Sequence, residues 1–291
     1  MTQTQDNSTL ASRAMIAKLK INCWGGEKRD RDVTETVLAS HGAVQGAGRF
    51  SKSLVSQEFL KPIRAVADAA REDHAELTLP WMNDGARILP SSLFMDYKRK
   101  MNRHEAAFHD EQRSLISKYP DAIEARRTEL GDMWNEDDYP SEAEISDKFG
   151  FDVQIYNVPD ARDFRVDLGQ EAVDEIRRDM EKRTADLYTS MTDDAQRRLV
   201  ERVSKLAEKL RGFDPEKHRF RKSLLENVTD VVEILPDLNL ADDPRLNDLI
   251  EKAREAVNGI QPDDLRHDDQ VRNDVLSAAD QLMNNAREMF Q

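Results

Sequence analysis

The chain predicts a mainly α-helical fold: an elongated helical bundle, or coiled-coil-like helices, carrying a small antiparallel β-hairpin or three-stranded patch. Three observations lead there. Gly and Pro, the usual chain-breakers, make up only 21 of 291 residues. Apolar side chains recur at steps of three and four over long segments, the period of one helix face. Only one stretch, residues 151–168, shows strong two-residue alternation. The chain is 34% charged and 38% hydrophobic, against about 25% and 45–50% in an average domain. Much of its length must therefore be solvated helix surface.

The elements follow in order. Residues 1–12 are polar, lack an apolar signal core and read as a disordered lead-in. Leu19, Ile21 and Cys23 alternate with Lys20 and Asn22, the period of a half-buried strand, and Gly25-Gly26 ends it. Arg31–Ser40 reads as a short helix with Val33, Val37 and Leu38 on one face. Residues 41–48 hold three glycines and form a loop. Gln57–Glu76 is a helix whose stripe is Phe59, Ile63, Val66 and Ala70, regular from about Lys61 because Pro62 suits only a first turn. Leu77–Pro90 is a structured loop between prolines. Ser91 or Ser92 caps a long helix to Lys118 along Leu93, Tyr97, Met101, His104, Phe108 and Leu115, and Pro120 opens another to Leu130. A short helix follows Pro140-Ser141.

Residues 151–168 predict a hairpin. Val153 and Ile155 alternate with polar neighbours, Pro159–Asp163 turns, and Phe164, Val166 and Leu168 alternate again. The Leu19–Cys23 strand can add a third member. Glu171–Leu210 carries a heptad-like series at Val173, Ile176, Met180, Thr184, Leu187 and Met191, then Leu199, Val203, Leu206 and Leu210. It is either one rod or two helices divided near Ser190–Asp194. Helices starting at Asp214-Pro215, Asp243-Pro244 and Gln261-Pro262 complete the chain. The domain reading is a lead-in (1–12), an α+β region with the hairpin (13–170) and a helical region (171–291).

Several function classes are set aside. No run approaches the roughly 18–20 apolar residues of a spanning helix, so no membrane partner is expected. One cysteine, Cys23, forms no internal disulfide, and a reducing cytoplasm is the expected compartment. On its strand, Cys23 reads as a small core side chain rather than a nucleophile. His104 and His109 are five apart, so on a helix their rings point about 140° apart and do not share a metal. The remaining histidines give no ligand spacing. The Gly42–Gly48 loop lacks the Gly-Lys-Ser/Thr ending of a phosphate loop. No catalytic residue, cofactor or metal is assigned, and a non-enzyme is expected.

Charge is the informative feature. The net charge is −14, yet its distribution is blocky. Residues 128–147 hold eight acidic residues and no basic one, with Trp134 and Tyr139 embedded. Trp134, Glu136, Asp137, Asp138 and Tyr139 form a candidate partner surface suited to a basic protein. Residues 197–222 hold ten basic and four acidic residues. Arg197, Arg198, Arg202, Lys205, Lys209, Arg211, Arg219, Arg221 and Lys222 can follow a phosphate backbone, and Phe213 and Phe220 can stack on unpaired bases. They form a candidate nucleic-acid surface.

The order Ile21-Asn22-Cys23-Trp24-Gly25-Gly26-Glu27-Lys28, then Phe59-Leu60-Lys61-Pro62-Ile63-Arg64, Pro80-Trp81-Met82, Ile88-Leu89-Pro90 and Phe149-Gly150-Phe151-Asp152-Val153-Gln154-Ile155-Tyr156 resembles an uncharacterised family of phages and integrative elements. It is a pattern of spacing and aromatics over roughly residues 13–170, not a catalytic motif. Members tend to be encoded near MoxR-type AAA ATPases and proteins with a von Willebrand A-like domain. The resemblance implies a phage or mobile-element setting and work beside an ATPase. The expected function is therefore a non-catalytic interaction or scaffold protein, able to self-associate through its helices. The alternative is an accessory protein binding single-stranded nucleic acid in phage replication or recombination.

Overall fold

A computed structural model describes residues 10–81, 85–159, 170–214 and 222–289. Among these the chain is mainly α, with a four-stranded antiparallel sheet and a separate two-stranded ladder. It divides into two compact units. One contains the chain up to Lys18, Glu76–Met95 and everything from Ile155 onward; the other contains Leu19–Ala75 and Asp96–Gln154.

α1 (Leu10–Arg13) leads directly into β1 (Ala14–Asn22), which passes from the first unit into the second after Lys18 and begins five residues earlier than the alternation at Leu19 predicts. The reason is visible in Ala14, Ile16 and Ala17: all three are buried, so this end reads as apolar on both faces rather than alternating. The span expected to be a loop contains β4 (Leu79–Pro80) and β5 (Ala86–Pro90), paired antiparallel with Leu79 opposite Ile88. β5 also pairs antiparallel with β1, Ile16 opposite Ile88. The two flanking prolines hide these strands from a sequence reading. Both sit at strand ends, where a missing N–H costs no ladder bond.

The helical region of the first unit is built on α6 (Gln170–Arg211), α7 (Ser223–Leu238), α8 (Pro244–Val257), α9 (Pro262–His267) and α10 (Asp269–Met289). α6 is one unbroken helix of 42 residues, about 60 Å long, so Ser190–Asp194 does not divide it. Its two halves differ. Met191, Ala195, Leu199, Val203, Leu206 and Leu210 are buried against α7, α8 and α10. Val173, Ile176, Met180 and Leu187 are only half-buried. The Gln196 amide, 3% exposed, donates to the Ala286 carbonyl of α10 at 3.1 Å and is satisfied in the core.

In the second unit, β2 (Glu27–Asp30) and β3 (Phe50–Ser53) form a ladder around α2 (Arg31–Ser40). The Asp30 carboxylate caps α2 by accepting from the Val33 N–H at 3.0 Å. The buried member of α2 is Thr34, whereas Val37 is 46% exposed. The Thr34 hydroxyl accepts from the Phe50 N–H and donates to the Asp30 carbonyl, so a polar side chain takes the inward place that the apolar pattern assigned to valines.

α3 (Gln57–Glu76) begins where expected and carries Pro62 inside it, exposed. Its buried stripe is Leu60, Ile63, Ala67, Ala70 and His74. Phe59 and Val66 are half-exposed, so the predicted face is rotated. α4 (Phe94–Leu130) follows a short 3₁₀ turn and runs straight through Pro120, where two helices were expected. The packing of Leu115 and Tyr119 just before the proline outweighs the single backbone bond it omits. Tyr97, Met101, Phe108 and Leu115 are buried as the stripe predicts, while His104 is half-buried and pairs with Asp73 at 2.6 Å. α5 (Glu142–Ser146) opens with a Ser141/Glu144 capping box. β6 (Gly150–Asn157) is the first half of the predicted hairpin and neighbours β1 in the sheet. The predicted second half, Phe164–Leu168, lies outside the described residues. Phe108 gathers Phe149 and Phe151 with ring centroids at 6.5 and 5.7 Å.

Candidate partner surface

The acidic segment after α4 contains no regular strand or long helix. Three connections give it shape. The first is Lys52, whose side chain points inward from β3 and is 6% exposed. Its ammonium meets Asp138 at 2.5 Å and Asp30 at 3.1 Å, and donates to the Met133 carbonyl at 2.7 Å. The Met133 contact has hydrogen-bond geometry, and the two carboxylates are held as ion pairs. The second is Lys28 on β2, which meets the other Asp138 oxygen at 2.7 Å. The third is the Arg127 guanidinium, 4.7 Å from the centre of the Trp134 ring.

Asp138 is thus clamped between two lysines. Burial pushes its carboxyl upward, but Lys28 and Lys52 outweigh this and hold it below its ordinary 3.8. Burial depresses Lys52, and the two carboxylates reverse that, leaving the ammonium above 10.5. Asp30 is held low first by the Val33 N–H and then by Lys52. All three groups are ionised across the neutral range, and the clamp is closed there.

Beside the clamp lies a cleft of about 630 Å³ lined by Trp24, Glu27, Asp137, Tyr139, Asp147 and Lys148, among others. The Trp24 ring meets Tyr119 edge-on at 5.9 Å and 85°. Tyr119 is 1% exposed, and its hydroxyl has no hydrogen-bond partner among the described residues. Burial pushes that phenol strongly up, with the charges of Tyr139 and Glu144 adding to it. Cys23, next to Trp24 in the chain, is half-buried; burial raises its thiol, with Arg71 and Arg64 acting the other way.

Of the predicted partner surface, Asp138 is committed to the clamp, and Trp134 and Tyr139 lie half-buried against each other, centroids 6.2 Å apart. Glu136 and Asp137 are exposed. Lys28, Asp30, Lys52, Trp24 and Tyr119 were not singled out from the sequence. Phe50-Ser51-Lys52-Ser53 has no apolar alternation, so nothing in it announces a strand with a buried cation.

The predicted nucleic-acid surface is placed differently. Arg197 and Arg198 both pair with Asp194, and Arg198 also donates to the Glu76 and Thr78 carbonyls at 2.8 and 2.6 Å. Lys205 pairs with Glu201, Arg211 with Asp280 and Lys222 with Glu226. Arg202 and Lys209 make no ion pair among the described residues. Phe213 lies under the Arg272 guanidinium, 4.8 Å from the ring centre. Arg219, Phe220 and Arg221 lie outside the described residues. Among the described residues no group of three or more His, Cys, Asp or Glu is placed to hold a metal ion, and no helix is long and apolar enough to cross a membrane.

No curated protein and no solved structure matches the chain. A family model described as a protein of unknown function, DUF3150, matches residues 12–253. The match runs from α1 through α6 and α7 into α8, well past residue 170, and on that extent the chain belongs to the DUF3150 family of proteins of unknown function.

Proposed function

We propose that this chain is a non-catalytic interaction protein of a phage or mobile element, working as a partner of a MoxR-type AAA ATPase. The setting and the ATPase follow from the resemblance over residues 13–170. The role in binding rests on one observation: the three-way hold of Lys52 on Asp30, Asp138 and the Met133 carbonyl. That hold fixes an otherwise irregular acidic segment, so Glu136 and Asp137 are displayed without an ordering cost on binding. The half-buried stripe Val173–Leu187 of α6 offers a second face for helix contacts, to a partner or to another copy.

The test is reconstitution. The chain is mixed with a MoxR-type ATPase and followed by size-exclusion chromatography with light scattering. A defined complex is expected, weakened by Asp137→Asn with Glu136→Gln. A chain that stays monomeric and forms no complex over the accessible concentration range removes the proposal. The alternative, single-stranded nucleic-acid binding through residues 197–222, has less support because five of the block's described cations already have partners within the chain.

A further inference from the structure

The first half of α6 carries a charge order that reads the same in both directions. About Met180, Asp179 mirrors Glu181, Arg178 mirrors Lys182 and Arg177 mirrors Arg183. Farther out, Ile176 mirrors Thr184, Asp174 mirrors Asp186 and Val173 mirrors Leu187. At about 100° per residue, Val173, Ile176, Met180, Thr184 and Leu187 form one seam. Arg177 and Glu181 flank that seam on one side, and Asp179 and Arg183 flank it on the other. The seam repeats after 11 residues, from Val173 to Thr184 and from Ile176 to Leu187. That period stays on one face of an almost undistorted helix.

These groups are not used up within the chain. Met191, Leu199 and Leu206, farther along α6, are buried, whereas Val173, Ile176, Met180 and Leu187 are only half-buried. The Thr184 hydroxyl donates to the Met180 carbonyl at 2.8 Å, so the one polar seam residue is satisfied within its own helix. Farther along, Arg198 closes on Asp194 and Lys205 on Glu201, four residues apart. Arg177 and Glu181, like Asp179 and Arg183, have the same spacing, yet none of the four makes an ion pair among the described residues. Arg177 is half-buried and the other three are exposed.

We infer that residues 173–187 of α6 pair antiparallel with the same segment of a second copy of this chain, two-fold about Met180. Val173 then lies opposite Leu187 of the second copy, Ile176 opposite its Thr184, and the two Met180 side chains meet on the axis. On one flank Arg177 faces Glu181 of the second copy; on the other, Asp179 faces its Arg183. Each contact occurs twice, as a two-fold interface requires. A parallel pairing offers none of this. Flanking positions then meet about five residues apart, and Arg177 faces Ala172, Asp179 faces Thr184 and Arg183 faces Tyr188. Charges beside a seam set orientation and choice of partner. A palindromic set is matched by itself run backwards, which is why the occupant is a second copy. This rests on the interaction role proposed above and commits the α6 face to one partner.

Light scattering of the full chain over a dilution series, at about 0.15 M salt, tests it. A dimer that dissociates on dilution is expected. Arg177→Glu alone, or Glu181→Arg alone, sets like charges across the seam and should weaken pairing about tenfold. The double variant, Arg177→Glu with Glu181→Arg, exchanges the signs and should return to within about threefold of the original. Mixing the two single variants should give a mixed dimer, because each supplies the charges the other lacks. Bulk charge predicts something else: the two single variants change net charge in opposite directions and would act oppositely. Circular dichroism verifies that each variant folds. A chain monomeric throughout the series, single variants that pair as well as the original, or a double variant no tighter than the single ones overturns the inference. A monomeric chain that still joins the ATPase overturns the pairing and leaves the interaction role standing. A chain that pairs in this register yet does not join the ATPase keeps the pairing and removes the ATPase as its partner.

Discussion

Lys52 shows how a single residue can organise a surface. Replacing it with methionine keeps the stem and removes the charge, leaving Asp30 and Asp138 facing each other. Breaking one partner of a buried pair costs about 3–5 kcal/mol; because Asp138 retains Lys28, we expect Lys52→Met to cost roughly 2–3 kcal/mol, read as a lower urea midpoint. The same groups set an acid limit. Asp138, Asp30 and Asp73 all have carboxyls held below their ordinary 3.8 in the folded chain. For Asp73, His104 and Lys100 outweigh burial. A carboxyl whose pKa is lower folded than unfolded contributes fully above the unfolded value and loses that contribution as pH falls through the folded one. Stability should therefore be level from neutral pH down to about 4 and decline below it, and Lys52→Met should flatten the decline. A third residue, Gly26, has φ +70°, and a Cβ there would approach Leu60 Cδ1 to 2.8 Å and Val55 Cγ2 to 2.9 Å. Gly26→Ala should cost about 1–3 kcal/mol by both strain and overpacking. Residues of this kind were the least legible in the sequence. Trp134, Glu136, Asp137 and Tyr139 stand out as aromatics in an acidic run, whereas Lys52 and Asp30 are ordinary charges until the β2–β3 ladder brings them to residue 138.

The helices were legible because their signals repeat, and their joints were not. The α4 stripe from Tyr97 to Leu115 repeats over five turns and needs no tertiary information. Pro120 misled because a local rule met a larger force: the buried Tyr119 and Leu115 hold the helix on course. Since Pro120 is exposed, Pro120→Ala restores the bond to the Ile116 carbonyl without disturbing the core. It should raise stability by about 1–3 kcal/mol, measured as a higher thermal midpoint. α3 shows a different failure. Apolar residues occupy both Phe59–Val66 and Leu60–Ala67 rows, so spacing alone does not choose between neighbouring faces. The sheet was half legible: β1 and β6 announce themselves by alternation, while the short, proline-bounded β4 and β5 are recognisable only once paired. In α6, identical spacing continues through two environments. Leu199→Ala, in the buried half, should cost about 2–5 kcal/mol, and Leu187→Ala, in the half-exposed stripe, well under half of that. If instead Leu187→Ala costs as much and the cost grows with protein concentration, the stripe is covered by another copy.

For the whole molecule, composition speaks to behaviour more than to architecture. With a net charge of −14 and an isoelectric point near 5.0, the chain repels its copies at neutral pH and loses that repulsion near pH 5. Turbidity should therefore peak near pH 5 while circular dichroism is unchanged, because the Asp138 clamp still holds there; simultaneous loss of both signals would place the clamp's titration too low in our account. The division into two units was not readable from the order of the chain, since each is assembled from segments far apart in sequence. The lone thiol offers a practical handle on all this. Cys23 is the chain's one cysteine and is half-buried, so the native polypeptide carries a single thiol attachment point just beyond β1. Burial makes it a weaker acid than an ordinary thiol, so alkylation is slow at neutral pH and faster in mild base. A small environment-sensitive dye placed there reports local changes around Arg71 and Arg64, without mutagenesis and without competing labels.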